Sequence, residues 1–176
     1  MRNVHYGNNK PRYIRYAIYG AVMVLVVLLH NSRGALPEIM GGRAMLTLPF
    51  IVALAMHERE ISAAVFGAVG GALLDVSSVN DGFNTLVLMA IAVICSLFIS
   101  RIMQNNIVTA IVLNSGAVVV YFLLYIGVNL IMTGTPLTSR VLVGFYLPSI
   151  IYTMVFVPVF YFIVKSIFVS HKTADE

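Results

Sequence analysis

Residues 107–132 read IVTAIVLNSGAVVVYFLLYIGVNLIM, a run of 26 residues that contains no charged side chain. As a helix with a rise of about 1.5 Å per residue, this run is longer than the ~30 Å hydrocarbon core of a bilayer. The whole chain has the same character: 60% of its 176 residues are hydrophobic and 10% are charged, whereas soluble domains have roughly 45–50% and about 25%. The sequence therefore predicts an all-α protein embedded in a lipid bilayer. It argues against a soluble enzyme, a nucleic-acid-binding domain and a disordered chain.

Five further apolar segments flank this run, so we expect residues 1–176 to form a single integral membrane domain of about six transmembrane helices. Residues 1–12 and 166–176 are the expected tails. The predicted spans are approximately 13–29, 44–56, 61–74, 84–100, 107–132 and 141–164. The second and third segments reach only about 20 Å each as helices. They fit either a re-entrant hairpin or two short spans.

The connection between these two short segments, residues 57–60, favours the second alternative. It reads His-Glu-Arg-Glu, and each charged side chain at the centre of a bilayer costs on the order of 2.5–3.5 kcal/mol. We therefore expect this turn to reach water or lipid headgroups, with a tilted helix pair or a locally thinned bilayer compensating for the short spans.

The distribution of positive charge predicts the orientation. With six spans and the amino terminus inside, only Arg33, Arg43 and Arg140 of the 11 Lys and Arg residues fall on the outer side. Basic residues are enriched in cytoplasmic loops, so both termini are predicted to be cytoplasmic. No small-residue cleavage site follows the first apolar segment, which we interpret as an uncleaved span.

Small residues recur at helical spacing in two of the predicted spans. Gly67, Gly71 and Asp75 lie four residues apart along one side of the third helix, where the glycines allow another helix to approach closely. We expect this seam to recognise a helix of a partner protein. The carboxylate falls near the outer boundary, and two interpretations are open: it bonds the amides of the following turn, or it contacts a partner or ligand. Ala17 and Ala21 form a similar small-residue pair in the first span.

The fifth predicted helix carries polar side chains on one face. They are Asn114, Tyr121, Tyr125 and Asn129. Such groups form hydrogen bonds between helices in lipid, or they line a ligand pocket.

Motifs typical of catalysis are missing. The pair His57-Glu58 is followed by Ile61 where a zinc-protease helix has its second histidine. No apolar segment has a histidine in its interior to serve as a base for Ser115. We therefore expect no enzymatic activity, no metal site and no cofactor.

The run Gly-Ala-Leu-Leu-Asp at residues 71–75 resembles the MreD family, the rod shape-determining membrane proteins of bacteria. The resemblance covers roughly residues 43–105 and includes Pro49 in a short apolar helix, the charged turn at residues 57–60 and the polar turn that closes at Gly82. One departure is that Arg43 precedes Ala44 where the family often has proline.

This resemblance implies a fold similar to that of the S-components of energy-coupling factor transporters. It also implies a multi-pass, non-catalytic subunit of the cell-elongation complex in the bacterial plasma membrane. Such a subunit binds the bitopic protein MreC and helps to couple cytoplasmic MreB filaments to the peptidoglycan synthases outside. The family-type positions in this chain are Gly67, Gly71, Asp75 and Gly82.

The alternative function is that of an S-component itself, which binds a vitamin and docks to a transporter module. In that case Ala17 and Ala21 form the docking face. The vitamin pocket is then lined by Asn114, Tyr121, Tyr125 and Asn129.

Overall fold

The computed structural model describes residues 10–32, 44–76, 82–133 and 147–171, and within these ranges the secondary structure is helical, without a strand. The predicted all-α class is thus confirmed. The helices are α1 (Lys10–Asn31), α2 (Thr47–His57), α3 (Glu60–Asp75), α4 (Phe83–Arg101), α5 (Ile107–Thr133) and α6 (Leu147–Ser170).

The first five helices begin and end within three residues of the predicted spans, whereas α6 continues to Ser170, six residues beyond the predicted end at 164. The prediction stopped at Lys165 because hydropathy falls there. Lysine is a good helix former, and the apolar residues Ile167 and Phe168 continue the turn. Residues 141–146 of the predicted sixth span lie outside the described residues.

Four of these helices, α1, α4, α5 and α6, are long and apolar enough to cross a membrane. The other two are shorter, with 11 residues in α2 and 16 in α3. The structure is therefore that of a helical bundle with four candidate membrane spans, compatible with a multi-pass membrane protein.

Helix α2 lies in the middle of the bundle. All of its residues from Thr47 to Met56 are buried, and it packs against α1, α3, α4, α5 and α6. A helix that is apolar on every side is stable either in a protein interior or in lipid, and α2 lies in the protein interior. Because protein rather than lipid surrounds it, its length of about 16 Å need not match the bilayer. The tilt or thinning that we expected for this segment is therefore not required.

The two ends of the bundle differ in chemistry. One end, called here the charged end, contains the first turn of α1, the last turns of α2, α4 and α6, and the turn at residues 57–60. The opposite end contains the end of α3 at Asp75 and the start of α4 at Phe83. The candidate functional residues lie at both ends.

Candidate functional site

The glycines of α3 form the contact with α4. A β-carbon at Gly67 would lie 2.8 Å from the carbonyl oxygen of Leu88 and 2.9 Å from the β-carbon of Ala92. At Gly71 it would meet the backbone of Thr85 and, at 2.5 Å, the carbonyl oxygen of Asn84. The absence of side chains thus lets two helix backbones touch, as the spacing predicts, and the approaching helix is α4 of the same chain.

Asp75 caps the start of α4. Its Oδ1 accepts a hydrogen bond from the backbone N–H of Asn84 at 3.0 Å, and its Oδ2 accepts from the N–H of Thr85 at 2.8 Å and from its hydroxyl at 2.6 Å. These amides belong to the first turn of α4, which has no partner for them within the helix. Partial burial works to raise the pKa of Asp75, but the hydrogen bonds from Thr85 and Asn84 outweigh it and lower the pKa below 3.8.

Gly82 completes this turn. It precedes the first residue of α4 with a φ of 81°, a left-handed conformation that glycine adopts without steric cost. One residue into α4, Asn84 accepts a hydrogen bond from the hydroxyl of Tyr121 at 2.6 Å. Asp75, Asn84 and Tyr121 therefore connect α3, α4 and α5 at the opposite end.

These contacts distinguish the two interpretations of Asp75. The carboxylate bonds the amides that follow the turn, and α4 occupies the seam formed by Gly67 and Gly71. A second protein has no access to that seam while α4 lies in it. In this structure the seam is therefore occupied within the chain and is not the open partner surface that we expected.

The polar face of α5 is divided between separate contacts. Tyr121 bonds Asn84 and stacks on Tyr125 with ring centroids 6.3 Å apart. Asn114 lies two turns away along the helix, where its amide nitrogen donates to the carbonyl of Ala110 at 2.9 Å. The side chain of Asn129 lies outside the described residues. The tyrosines thus contribute to interhelical packing at the opposite end.

Ala17 and Ala21 lie on the outer side of α1 and are exposed. The other side of this helix is buried, with Tyr19 and Met23 packed into the bundle. The small-residue pair is thus left at the perimeter of the bundle.

The charged end contains a buried ion pair that sequence reasoning missed. The Nε atom of Arg15 lies 2.8 Å from Oε1 of Glu58, and its Nη2 donates to Oε2 at 3.2 Å. The two side chains are 0% and 2% exposed. We expected the turn at residues 57–60 to reach water or headgroups. Its Arg59 is exposed, but Glu58 is buried, where Arg15 neutralises it inside the protein. The sequence did contain an indication of this pair, because the predicted topology places Arg15 and the turn at residues 57–60 at the same end of the bundle.

Further contacts tie this ion pair to three helices. Nη1 of Arg15 donates to the carbonyl of His171 at 3.3 Å, and its guanidinium carbon lies 4.8 Å from the centroid of the Phe168 ring. The hydroxyl of Ser96 in α4 donates to the backbone carbonyl of Glu58 at 3.0 Å. The pair therefore holds α1, α4, α6 and the turn at residues 57–60 together.

A cavity of about 700 Å³ opens beside this ion pair. We call it the arginine pocket. It is lined by Arg12, Ala55, Met56, His57, Glu58, Arg59, Glu60, Ser96, Ile99, Ser100 and Phe168. Its position at the charged end separates it from the α5 tyrosines at the opposite end.

His57 forms part of the pocket wall, and a hydrogen bond fixes the orientation of its ring. Its Nδ1 donates to the carbonyl of Ala53 at 2.9 Å. Burial lowers the pKa of His57 below 6.5, and the positive charge of Lys165 acts in the same direction, against the hydrogen bond to Ala53. The imidazole is therefore held neutral at physiological pH.

Comparisons of the chain with protein-family models, with curated proteins and with solved structures give no match. Within the described residues, no three His, Cys, Asp or Glu side chains are grouped so that they would hold a metal ion.

Proposed function

We propose that this chain is a non-catalytic, MreD-like membrane subunit of a bacterial cell-elongation complex. In this proposal it binds an MreC-like bitopic protein within the plasma membrane and helps to couple cytoplasmic MreB filaments to peptidoglycan synthesis. The arrangement of four apolar helices around a buried α2 supports a scaffold role.

The observation that carries the proposal is the exposed outer side of α1. Ala17 and Ala21 lie there together with the exposed side chains of Tyr13, Val24 and Leu28. Association of helices in lipid is driven by close packing over small residues, flanked by larger side chains that fill the remaining space. Since α4 fills the glycine seam of α3, the α1 surface is where we place a single partner helix.

The test is co-purification of a tagged partner with variants of α1. The partner probe is the MreC-like bitopic protein of the same organism, co-expressed with the full chain. Ala17→Leu together with Ala21→Leu adds bulk that holds a partner helix away, so recovery of the partner should fall several-fold. Ala90→Leu is the matched control, because Ala90 is an exposed alanine on α4. Undiminished recovery with the α1 double variant, or equal loss with the α4 control, contradicts the proposal.

The proposed orientation places the charged end in the cytoplasm. Arg12, Arg15, Arg59, Arg101 and Lys165 lie on the helices and turn that form this end, as expected where basic residues are retained on the cytoplasmic side. Cys95 is buried and is the only cysteine of the chain. An Arg59→Cys variant in a Cys95→Ser background should react with an impermeant thiol reagent only after the membrane is opened. Labelling of intact cells would reverse the orientation.

A further inference from the structure

Side chains of α1, α2 and α6 form a continuous row of rings and cations at the charged end. His57 lies between two aromatic rings of α6, with ring centroids 5.4 Å from Tyr161 and 5.7 Å from Phe168. A cation lies against each of these rings. Nζ of Lys165 is 5.6 Å from the centroid of Tyr161, and the guanidinium carbon of Arg15 is 4.8 Å from that of Phe168. The order in the row is therefore cation, ring, imidazole, ring, cation.

This row suits a neutral imidazole. An aromatic ring attracts a cation to its face, and Lys165 and Arg15 already lie against the two rings that flank His57. A proton on His57 would add a third positive charge between the other two, in a place shielded from water. Burial and the charge of Lys165 both disfavour that proton and hold the pKa of His57 below 6.5.

The other charged groups around His57 leave no counter-charge for a proton. Among the described residues, the arginine pocket has two basic and two acidic side chains in its lining, Arg12, Arg59, Glu58 and Glu60. Glu58 is bound by Arg15, and Glu60 accepts a hydrogen bond from Ser100. The uncharged side chains that α4 adds to the lining are Ser96, Ile99 and Ser100. The charges of the lining are thus balanced while His57 is neutral, and protonation makes their sum positive.

The last turn of α6 is the part of the row that can yield. His57 belongs to the enclosed helix α2, and its ring is hydrogen-bonded within that helix. The end of α6 lies at the surface, where Val169 is 64% exposed. It is joined to the row by the ring of Phe168 and by the carbonyl of His171, which accepts a hydrogen bond from Arg15 at 3.3 Å. Phe168 also lines the arginine pocket, so a movement of this turn admits water to His57.

We propose that the last turn of α6 is a pH-sensitive latch, which covers the arginine pocket while His57 is neutral and is released when His57 is protonated. In the released form water hydrates the imidazolium and its separation from Phe168 relieves the crowding of positive charge. The released form therefore binds the proton more tightly, and acidification increases its population. The latch is independent of the partner surface on α1, so its failure would leave the proposed function unaffected.

The experiment measures the distance between spin labels at the ends of α6 and α4 in phosphatidylcholine nanodiscs. The labels are attached to Val169→Cys and Arg101→Cys in a Cys95→Ser background, because both positions are exposed and Cys95 is the only cysteine of the chain. One short distance should dominate at about pH 7.5, and a longer one should appear at about pH 5.5, on either side of the usual histidine pKa. A single proton allows the ratio of released to closed form to rise by up to about tenfold over this range.

Two variants remove the titrating group in different ways. His57→Gln keeps a donor for the carbonyl of Ala53, whereas His57→Phe keeps a ring between Tyr161 and Phe168. Both should retain the short distance at the acidic pH. His171→Gln is the matched control, because it removes the other imidazole at the end of α6 and leaves the backbone carbonyl that binds the arginine. It should respond to pH as the parent protein does.

Three outcomes would overturn the latch. An identical distance distribution of the parent protein at both pH values would show that the turn is not released. An acid response that persists in both His57 variants would assign the release to another group, and a response lost only in His171→Gln would assign it to that histidine. A response that disappears in both His57 variants and remains in His171→Gln would support the proposal.

Discussion

Asp75 and Glu58 lie at opposite ends of the bundle, and both carboxylates are shielded from water to some degree. They obtain their hydrogen-bonding partners in different ways. The oxygens of Asp75 accept hydrogen bonds from groups nine and ten residues further along the chain. The carboxylate of Glu58 binds the guanidinium group of Arg15, which lies 43 residues earlier. The first is a local arrangement around one turn, whereas the second joins elements that are distant in sequence.

The environments of the two groups also differ. Asp75 is only partly buried, so water can replace part of what its hydrogen bonds provide. The side chains of Arg15 and Glu58 are 0% and 2% exposed, so neither charge can be hydrated if the other is removed. We infer that the ion pair is the more costly of the two to disrupt, even though a buried ion pair is not itself a large source of stability.

The largest effect is expected from breaking the ion pair on one side only. Arg15→Met should lower the free energy of unfolding by about 3–5 kcal/mol, because Glu58 is left charged in the interior. The double variant Arg15→Met with Glu58→Leu should recover much of this loss, since no buried charge remains. Unfolding in detergent by steric trapping measures both. A double variant less stable than Arg15→Met would contradict this interpretation.

A smaller effect is expected from filling the seam between α3 and α4. Gly71→Ala places a β-carbon against the backbone of Thr85, which cannot yield as a flexible side chain would. Overpacking of this kind costs about 1–3 kcal/mol. Gly116→Ala is the matched control, because a β-carbon there meets nothing within 4 Å. Equal stability of the two variants would show that α4 does not pack on this seam.

The cap at the opposite end should contribute less again. Asp75→Asn should lower the free energy of unfolding by about 0.5–1.5 kcal/mol, the net contribution of a hydrogen bond, because the amide nitrogen that replaces one oxygen cannot accept from Thr85. Because the pKa of Asp75 is lower in the folded chain than its usual 3.8, the contribution of the charged cap is full above that value. It is lost as the pH falls through the folded pKa. Urea or detergent unfolding at neutral and acidic pH checks both statements.

The control variant for Asp75→Asn is Glu60→Gln. It removes a carboxylate at the start of α3, and the hydrogen bond that this carboxylate accepts is exposed to water. This variant should leave the stability nearly unchanged. A loss as large as that of Asp75→Asn would mean that any acidic group at a helix start matters equally here. The specific geometry of the Asp75 cap would then be unimportant.

The smallest effect concerns the pH dependence at the charged end. The pKa of His57 is lower in the folded chain than its usual 6.5, mainly because of burial. As the pH falls below about 6.5, the unfolded chain takes up a proton that the folded chain does not, so the stability decreases down to the folded pKa. His57→Gln should flatten this part of the curve of thermal midpoint against pH. An unchanged slope would exclude His57 as its source.

The local features of the opposite end could be predicted from the sequence. The four-residue spacing of Gly67, Gly71 and Asp75 predicted a close helix contact that ends in a carboxylate, and the structure places α4 there. One of the two interpretations for Asp75, a bond to the amides of the following turn, is the one observed. Such features are predictable because helical periodicity and the short connection to α4 limit which groups can meet.

The arginine pocket and its ion pair could not be predicted in the same way. Arg15 stood inside an apolar segment and Glu58 in a charged turn, and helical periodicity relates residues only within one helix. The predicted topology placed both at one end but left many pairings open among the charges there. Which arginine meets Glu58 depends on the rotation of α1 against α2 and α6.

The sequence by itself determined that this chain is helical, with segments long and apolar enough to cross a membrane, where most of its helices begin and end, and that α3 carries two glycines and a carboxylate along one side. Only the tertiary structure decided that α2 is enclosed by the other helices and that Arg15 neutralises Glu58. The physical reason is that lipid and protein interior are equally apolar, so hydropathy cannot tell a helix that faces the bilayer from one that faces its neighbours.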